Sequence, residues 1–137
     1  MMTIIYQQNK ECSEVDLKRL YDSVNWTAYT KDMPRLLKAI NQSLTVITAW
    51  NDNELVGLIR VVGDGQTIIY IQDILVIDNY QRQGVGSELL KMVLLTYDDV
   101  RQKILLTNDA PDVRRFYEKH GFASCDKGEL VSFAKFN

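Results

Sequence analysis

Histidine is nearly absent from this chain: His120 is the only one in 137 residues. That removes most zinc sites, and every Ser-His or Cys-His mechanism that does not use this one residue. Cysteine is scarce too. Cys12 and Cys125 lack the C-x-x-C spacing of a redox or zinc motif, so two free thiols in a reducing, cytoplasmic setting are expected rather than a bridge. Neither charge sign dominates. A net charge of −2 and a pI near 5.4 argue against broad electrostatic binding to nucleic acid, although not against a small basic pocket for an anion. No apolar run approaches the roughly 18–20 residues that cross a bilayer, so no membrane span is expected. The opening residues have neither a basic segment nor a long apolar one, so no secretion signal is expected either.

What is present is the mix of an ordinary globular domain, 46% apolar and 25% charged. With no linker, repeat or low-complexity segment, a single domain over 1–137 is expected. Thr3–Tyr6 reads as an opening strand. Ser13 can cap a first helix with Leu17, Leu20 and Tyr21 on its apolar face, and Asp32 before Met33-Pro34 opens a second. From Leu44 the apolar period changes to two. Leu44–Trp50, Leu55–Val62 and Thr67–Ile77 read as three strands joined by turns at Asn51-Asp52-Asn53 and Gly63-Asp64-Gly65, an antiparallel meander. A helix over Ser87–Tyr97, a strand over Lys103–Thr107 and a helix over Pro111–His120 follow, the last ended by Gly121. Phe122–Phe136 reads as two more strands in a hairpin turning at Asp126-Lys127-Gly128. The expected fold is α+β, a three-layer α/β arrangement: a mixed, mostly antiparallel sheet of about six or seven strands with helices on both faces.

The stretch richest in chemistry is Ile69–Val76 followed by Gln81-Arg82-Gln83-Gly84-Val85-Gly86 and a helix. A strand feeding a glycine-bearing loop and then a helix N-terminus presents free N–H groups and a favourable dipole to an anion, which is how a diphosphate is held. Two familiar phosphate loops fail. Ser87-Glu88 after Gly86 breaks the G-x-x-x-x-G-K-[ST] pattern, and Leu89 stands where the third glycine of G-x-G-x-x-G belongs.

Gln81-x-x-Gly84-x-Gly86 after this strand resembles the acetyl-coenzyme A loop of the GNAT superfamily, the Gcn5-related N-acetyltransferases, whose pattern is R/Q-x-x-G-x-G/A. Arg115-Phe116-Tyr117-Glu118-Lys119-His120-Gly121-Phe122 resembles the same family's FYEKxGF segment, one helix and one strand further on. The family proline before the loop is missing, with Asp78 in its place. The resemblance implies a GNAT-like fold and acetyl-coenzyme A as co-substrate, with no metal. It implies that Leu75 and Val76 contact the pantetheine arm, one of their amides facing the thioester oxygen. It implies that the backbone from Arg82 to Ser87, through Gln83, Gly84, Val85 and Gly86, holds the diphosphate beside Gln81. Asn108 and Phe116 match positions that touch the cofactor.

Tyr117 matches the tyrosine that protonates the departing thiolate, and an ordinary tyrosine is still protonated at neutral pH. By spacing alone it also falls on a core stripe with Val113, Phe116 and His120. Asp73, a carboxylate inside an apolar strand, is the candidate base or relay for the acceptor amine; its alternatives are a pair with Arg60 or bonds to backbone at a bulge in the strand. Trp26 and Tyr29 match a region that walls the acceptor site, with ordinary packing as the alternative. The implied activity is acetyl transfer to a primary amine by direct attack, since neither cysteine has an evident base beside it. A non-catalytic coenzyme A-binding regulatory module and a nucleotide-binding domain are the rival readings. A small amine is the expected partner, ahead of a protein amine, and a homodimer would be in keeping with the family.

Overall fold

The computed structural model describes residues 3–137. Two compact units make up the chain, one running to Leu106 and one over Thr107–Asn137. The first contains β1 (Ile5–Gln8), α1 (Glu14–Ser23), α2 (Thr27–Thr30), α3 (Met33–Gln42), β2 (Thr45–Asn51), β3 (Glu54–Gly63), β4 (Ile68–Val76), α4 (Val85–Thr96) and β5 (Gln102–Leu105). The second contains α5 (Pro111–Glu118) and one 3₁₀ turn, Cys125–Lys127.

Local chemistry sets the helix starts. The Ser13 hydroxyl accepts the Asp16 N–H at 3.0 Å, and the Asp32 carboxylate accepts the Arg35 N–H at 3.2 Å with Pro34 in the first turn. Each supplies an acceptor to an amide that the helix cannot satisfy itself. The turn between β3 and β4 is closed by Asp64, whose carboxylate takes the Thr67 hydroxyl and the N–H groups of Gln66, Thr67 and Ile68. Those bonds hold its carboxyl well below the usual carboxylate range.

The sheet runs in the order β1-β2-β3-β4-β5, antiparallel except for the parallel β4–β5 pair. Helices α1 and α3 cover one face, where Leu17, Leu20, Tyr21, Leu36 and Ile40 pack with Val46, Leu58 and Leu75. Helix α4 covers the other. Gly57 marks its close approach: a Cβ there would lie 3.1 Å from Val85 Cγ1, 3.3 Å from the Leu75 carbonyl oxygen and 3.4 Å from Leu89 Cδ1. The expected layering of sheet and helices is therefore present in this unit.

The strand count differs from expectation: the sheet has five strands among the described residues, not six or seven. Phe122–Phe136 carries no strand, and its one ordered element is the 3₁₀ turn at Cys125–Lys127. A strand exists only as one side of a ladder, and apolar spacing supplies no partner. Within Thr107–Asn137 no two segments pair, and Leu130, Val131, Phe133 and Phe136 are exposed. Helix α5 ends as expected: Phe122 N–H donates to the Tyr117 carbonyl and Gly121 N–H to Glu118, with Gly121 left-handed. Both cysteines are free. Among the described residues no helix is long and apolar enough to cross a membrane.

Replacing Gly57 with valine overfills the seam between β3 and α4. The expected cost is about 1–3 kcal/mol, read as a lowered urea midpoint with an unchanged slope. An unaltered midpoint would show that α4 does not press on the sheet at Gly57.

Candidate active site

Strand β4 changes character halfway along. Its first half, Ile68–Ile71, pairs in parallel with Gln102–Leu105 of β5. The register against β3 then slips: Val61 lies opposite Ile71, yet Arg60 lies opposite Asp73. Gln72 is the extra residue of a bulge. In a regular strand residues 69, 71, 73 and 75 share a face. The bulge reverses that parity, so Ile71 stays with Val61 on the α4 face, whereas Asp73 and Leu75 turn toward α1 with Arg60 and Leu58.

Beyond the bulge β4 has no partner on the β5 side, because β5 ends at Leu105, opposite Ile71. The Ile77 N–H bonds the Val56 carbonyl at 2.9 Å, which sets the antiparallel alternation. Leu75 therefore directs its N–H and C=O at β3, while Ile74 and Val76 direct theirs at the unpaired edge. Of the two residues expected to line a ligand, Val76 has its amide there and Leu75 does not.

The chain then passes a single 3₁₀ turn, Asp78–Tyr80, and enters the loop. Helix α4 starts at Val85, two residues earlier than its apolar pattern suggests, so Gly86 and Ser87 belong to its first turn. Gly84 is the N-cap at φ +83°, a left-handed conformation that glycine adopts without strain. It brings no capping side chain, and a Cβ built on it meets nothing within 4 Å. The backbone N–H groups of Val85 and Gly86 have no helix carbonyl to donate to and lie at the positive end of the dipole. Arg82, exposed, also has positive φ, at +65°.

Side chains fasten this loop to the sheet. Gln81 Nε2 donates to the Val76 carbonyl at 2.9 Å, and Gln83 Nε2 donates to the Asn79 carbonyl at 3.0 Å. The Tyr80 hydroxyl donates to Glu54 Oε1 at 3.0 Å and accepts from Asn51 Nδ2 at 2.8 Å. Gln81 and Gln83 thus use their amide groups to hold loop geometry.

Asp73 is 2% exposed and accepts three bonds. Arg60 Nε and the Tyr21 hydroxyl reach its Oδ2 at 2.7 and 2.9 Å, and the Tyr29 hydroxyl reaches Oδ1 at 2.8 Å. Arg60, 6% exposed, sends Nη2 to the Tyr29 hydroxyl at 3.3 Å and Nη1 to the Ser43 hydroxyl at 3.4 Å. Gln72 of the bulge donates to the Tyr29 hydroxyl at 3.1 Å. The pair with Arg60 is the alternative that the sequence left open for Asp73. Burial and the adjacent Asp73 charge push the phenols of Tyr21 and Tyr29 up, so both remain donors. Trp26 closes the aromatic group, its ring centroid 6.2 Å from Tyr21 and 6.3 Å from Tyr29. Removing one member of such a buried pair costs about 3–5 kcal/mol, because the other is stranded.

In the second unit Tyr117 lies on α5 with its ring against Phe116 and Phe122. Burial pushes its hydroxyl up to about 12, so it holds its proton throughout the neutral range. Phe116 also carries the Lys119 ammonium over its ring at 5.6 Å, and Asn108 is exposed just before the helix. Arg114 is bound to Asp109, Ser124 and Asp126.

Sequence reading missed Tyr21, Gln72 and Tyr80. Tyr21 was legible only as an apolar helix position. The signal that could have found the cluster is the coincidence of two charges, Arg60 and Asp73, each interrupting an apolar strand in neighbouring arms of one hairpin.

Residues 8–133 match the family model described as an acetyltransferase (GNAT) domain. An uncharacterized N-acetyltransferase, ycf52-like, of Prochlorococcus marinus is 29% identical over 136 residues, covering 96% of this chain and 74% of its own. A ycf52 protein of Gracilaria tenuistipitata is 27% identical, over 82% of this chain and 63% of its own. The solved GNAT family acetyltransferase SP0256 of Streptococcus pneumoniae is 33% identical, covers 100% of this chain and 98% of its own, and superimposes with a TM-score of 0.86. Aminoglycoside N-acetyltransferase AAC(6')-Iy, solved with CoA, shares the fold at 16% identity and a TM-score of 0.70. The chain belongs to the GNAT family of acetyltransferases.

Proposed function

We propose that this protein transfers acetyl from acetyl-coenzyme A to a primary amine by direct attack. The observation that carries the reading is the unpaired edge of β4 beyond Ile71, beside a loop that ends in a helix N-terminus without a side-chain cap. An extended pantetheine arm can pair with the free strand edge at Ile74 and Val76 as a further strand would. Its diphosphate then meets the amides of Val85 and Gly86, with Arg82 at the mouth. Gly84 leaves the approach clear.

The chemistry follows from that placement. The amine nitrogen attacks the thioester carbonyl, and the oxygen gains negative charge as the tetrahedral centre forms. Of the two donors at the strand edge, the Val76 N–H is the one nearer the loop, and a donor worth having there strengthens as charge develops. The C–S bond then breaks, and coenzyme A leaves as a thiolate that needs a proton. Tyr117 is the proposed donor, on the strength of its motif and of a hydroxyl that keeps its proton. A covalent acetyl-cysteine route has no support: burial and Asp16 push the Cys12 thiol up to about 11, which leaves almost no thiolate at neutral pH. Trp26 and Tyr29 are proposed to border the acceptor, a small amine.

Calorimetric titration with acetyl-coenzyme A, beside ATP and NAD, tests the cofactor assignment. Saturable binding of acetyl-coenzyme A alone is expected; preference for ATP or NAD would overturn it. Gly84→Glu fills the clear approach with bulk and charge and is expected to abolish that binding, and a normal dissociation constant would remove the loop from the site. Thiol release in the presence of tyramine, spermidine and a lysine peptide separates an enzyme from a binding module. Tyr117→Phe is expected to lower kcat by about 10²-fold with little change in acetyl-coenzyme A affinity. With the native hydroxyl raised to about 12, kcat at saturating amine should show no falling limb from this residue below the ordinary tyrosine value of 10.0.

A further inference from the structure

A general base needs a lone pair that its substrate can reach. Asp73 has none to spare in that sense: both oxygens accept from Tyr21, Tyr29 and Arg60, and the carboxylate is sealed at 2% exposure. Arg60 from β3, Tyr21 from α1 and Tyr29 from α2 each donate a hydrogen bond to it. The same group is built around the bulge. Arg60 is its register partner across the β3–β4 ladder, and Gln72, the extra residue, is tied to the Tyr29 hydroxyl. Ile74 and Val76, whose amides form the unpaired edge, follow Asp73 by one and three residues.

We propose that Asp73 is a positioning residue and not the base: its bonds to Arg60, Tyr21 and Tyr29 lock the β4 bulge and so aim the amides of Ile74 and Val76 along the open edge. This inference rests on the acetyltransferase reading. The carboxylate clamps one strand of the hairpin to the other, and the two phenols clamp that strand to α1 and α2. Slackening any of these bonds lets the bulge relax, and the thioester oxygen loses its alignment with the Val76 N–H. The loop that grips the cofactor is also anchored away from the bulge, by the Tyr80 hydroxyl to Glu54 and Asn51 of the β2–β3 hairpin, so affinity and turnover respond differently.

The variants are Asp73→Asn and the gentler Tyr21→Phe, which keeps the ring and removes one bond. Turnover is followed by thiol release with tyramine, affinity by acetyl-coenzyme A calorimetry, and strand geometry by backbone amide NMR. Asp73→Asn is expected to lower kcat by about 10- to 100-fold while leaving acetyl-coenzyme A affinity within about threefold and the acidic limb of the pH profile in place. Tyr21→Phe is expected to lower kcat by about threefold or more and to move the amide signals of Gln72 to Val76 but not those of β1. Loss of the acidic limb in Asp73→Asn would make Asp73 the base and overturn the proposal. A lowered melting temperature with native kcat per folded molecule would overturn it too, since the cluster would then only stabilise the fold. If Asp73→Asn does not fold, Tyr21→Phe decides alone. Unmoved amide signals there overturn the proposal whether or not tyramine is a substrate, whereas failure of the native protein to bind acetyl-coenzyme A overturns the acetyltransferase reading and leaves the amide result standing.

Discussion

The bond between Arg60 and Asp73 ties together more of this structure than any other single contact. Both groups are buried, so each has given up hydration that Coulomb attraction alone does not repay. The remaining cost is met by hydrogen bonds from two phenols and by the Ser43 hydroxyl, and among the described residues no buried side-chain nitrogen or oxygen lacks a partner. An apolar pair of similar volume would serve the core as well. What it would lack is direction. A bidirectional set of bonds from α1, α2 and β3 converging on one carboxylate admits a single register of β4, and with it a single place for the bulge.

From that place two consequences run along the strand. Toward its start, Ile69 and Ile71 are returned to the α4 face and fill the core there. Toward its end, the edge beyond Ile71 is left without a ladder, because β5 ends at Leu105. The pantetheine placement proposed above uses such a notch, and here it is produced by one extra residue and the short length of β5.

Much of this was legible in the sequence, for reasons that differ by element. Ser13 and Asp32 announce helix starts because capping is a contact between residues three apart, wholly contained in local sequence. The β2–β3–β4 meander is legible because Asp52 and Asp64 sit in turns that local chemistry closes. The loop could be recognised because Gly84 answers a backbone requirement. By contrast, Phe122–Phe136 has the composition of strands and forms none, since pairing depends on a partner that spacing cannot supply. The role of Tyr21 was equally hidden: its position on a helix face says that it is buried, and only the fold brings its hydroxyl to a carboxylate 52 residues away.

An open strand edge is ordinarily a hazard, since unpaired N–H and C=O groups invite another chain. Here the exposure is narrow. The Val76 carbonyl is already taken by Gln81, and the bulge bends the strand at the other end of the gap. What remains is a notch of about two residues bearing the amides of Ile74 and Val76, too short and too irregular to template a second sheet. It is long enough for the few bonds that a pantetheine arm can make. Gln81 therefore does more than fill the first position of a glycine motif. By capping the carbonyl beside the Val76 N–H, it leaves a donor as the polar group nearest the loop. A thioester oxygen placed there as proposed would meet that donor as it acquires charge, whereas the same strand without Gln81 would offer an acceptor beside it.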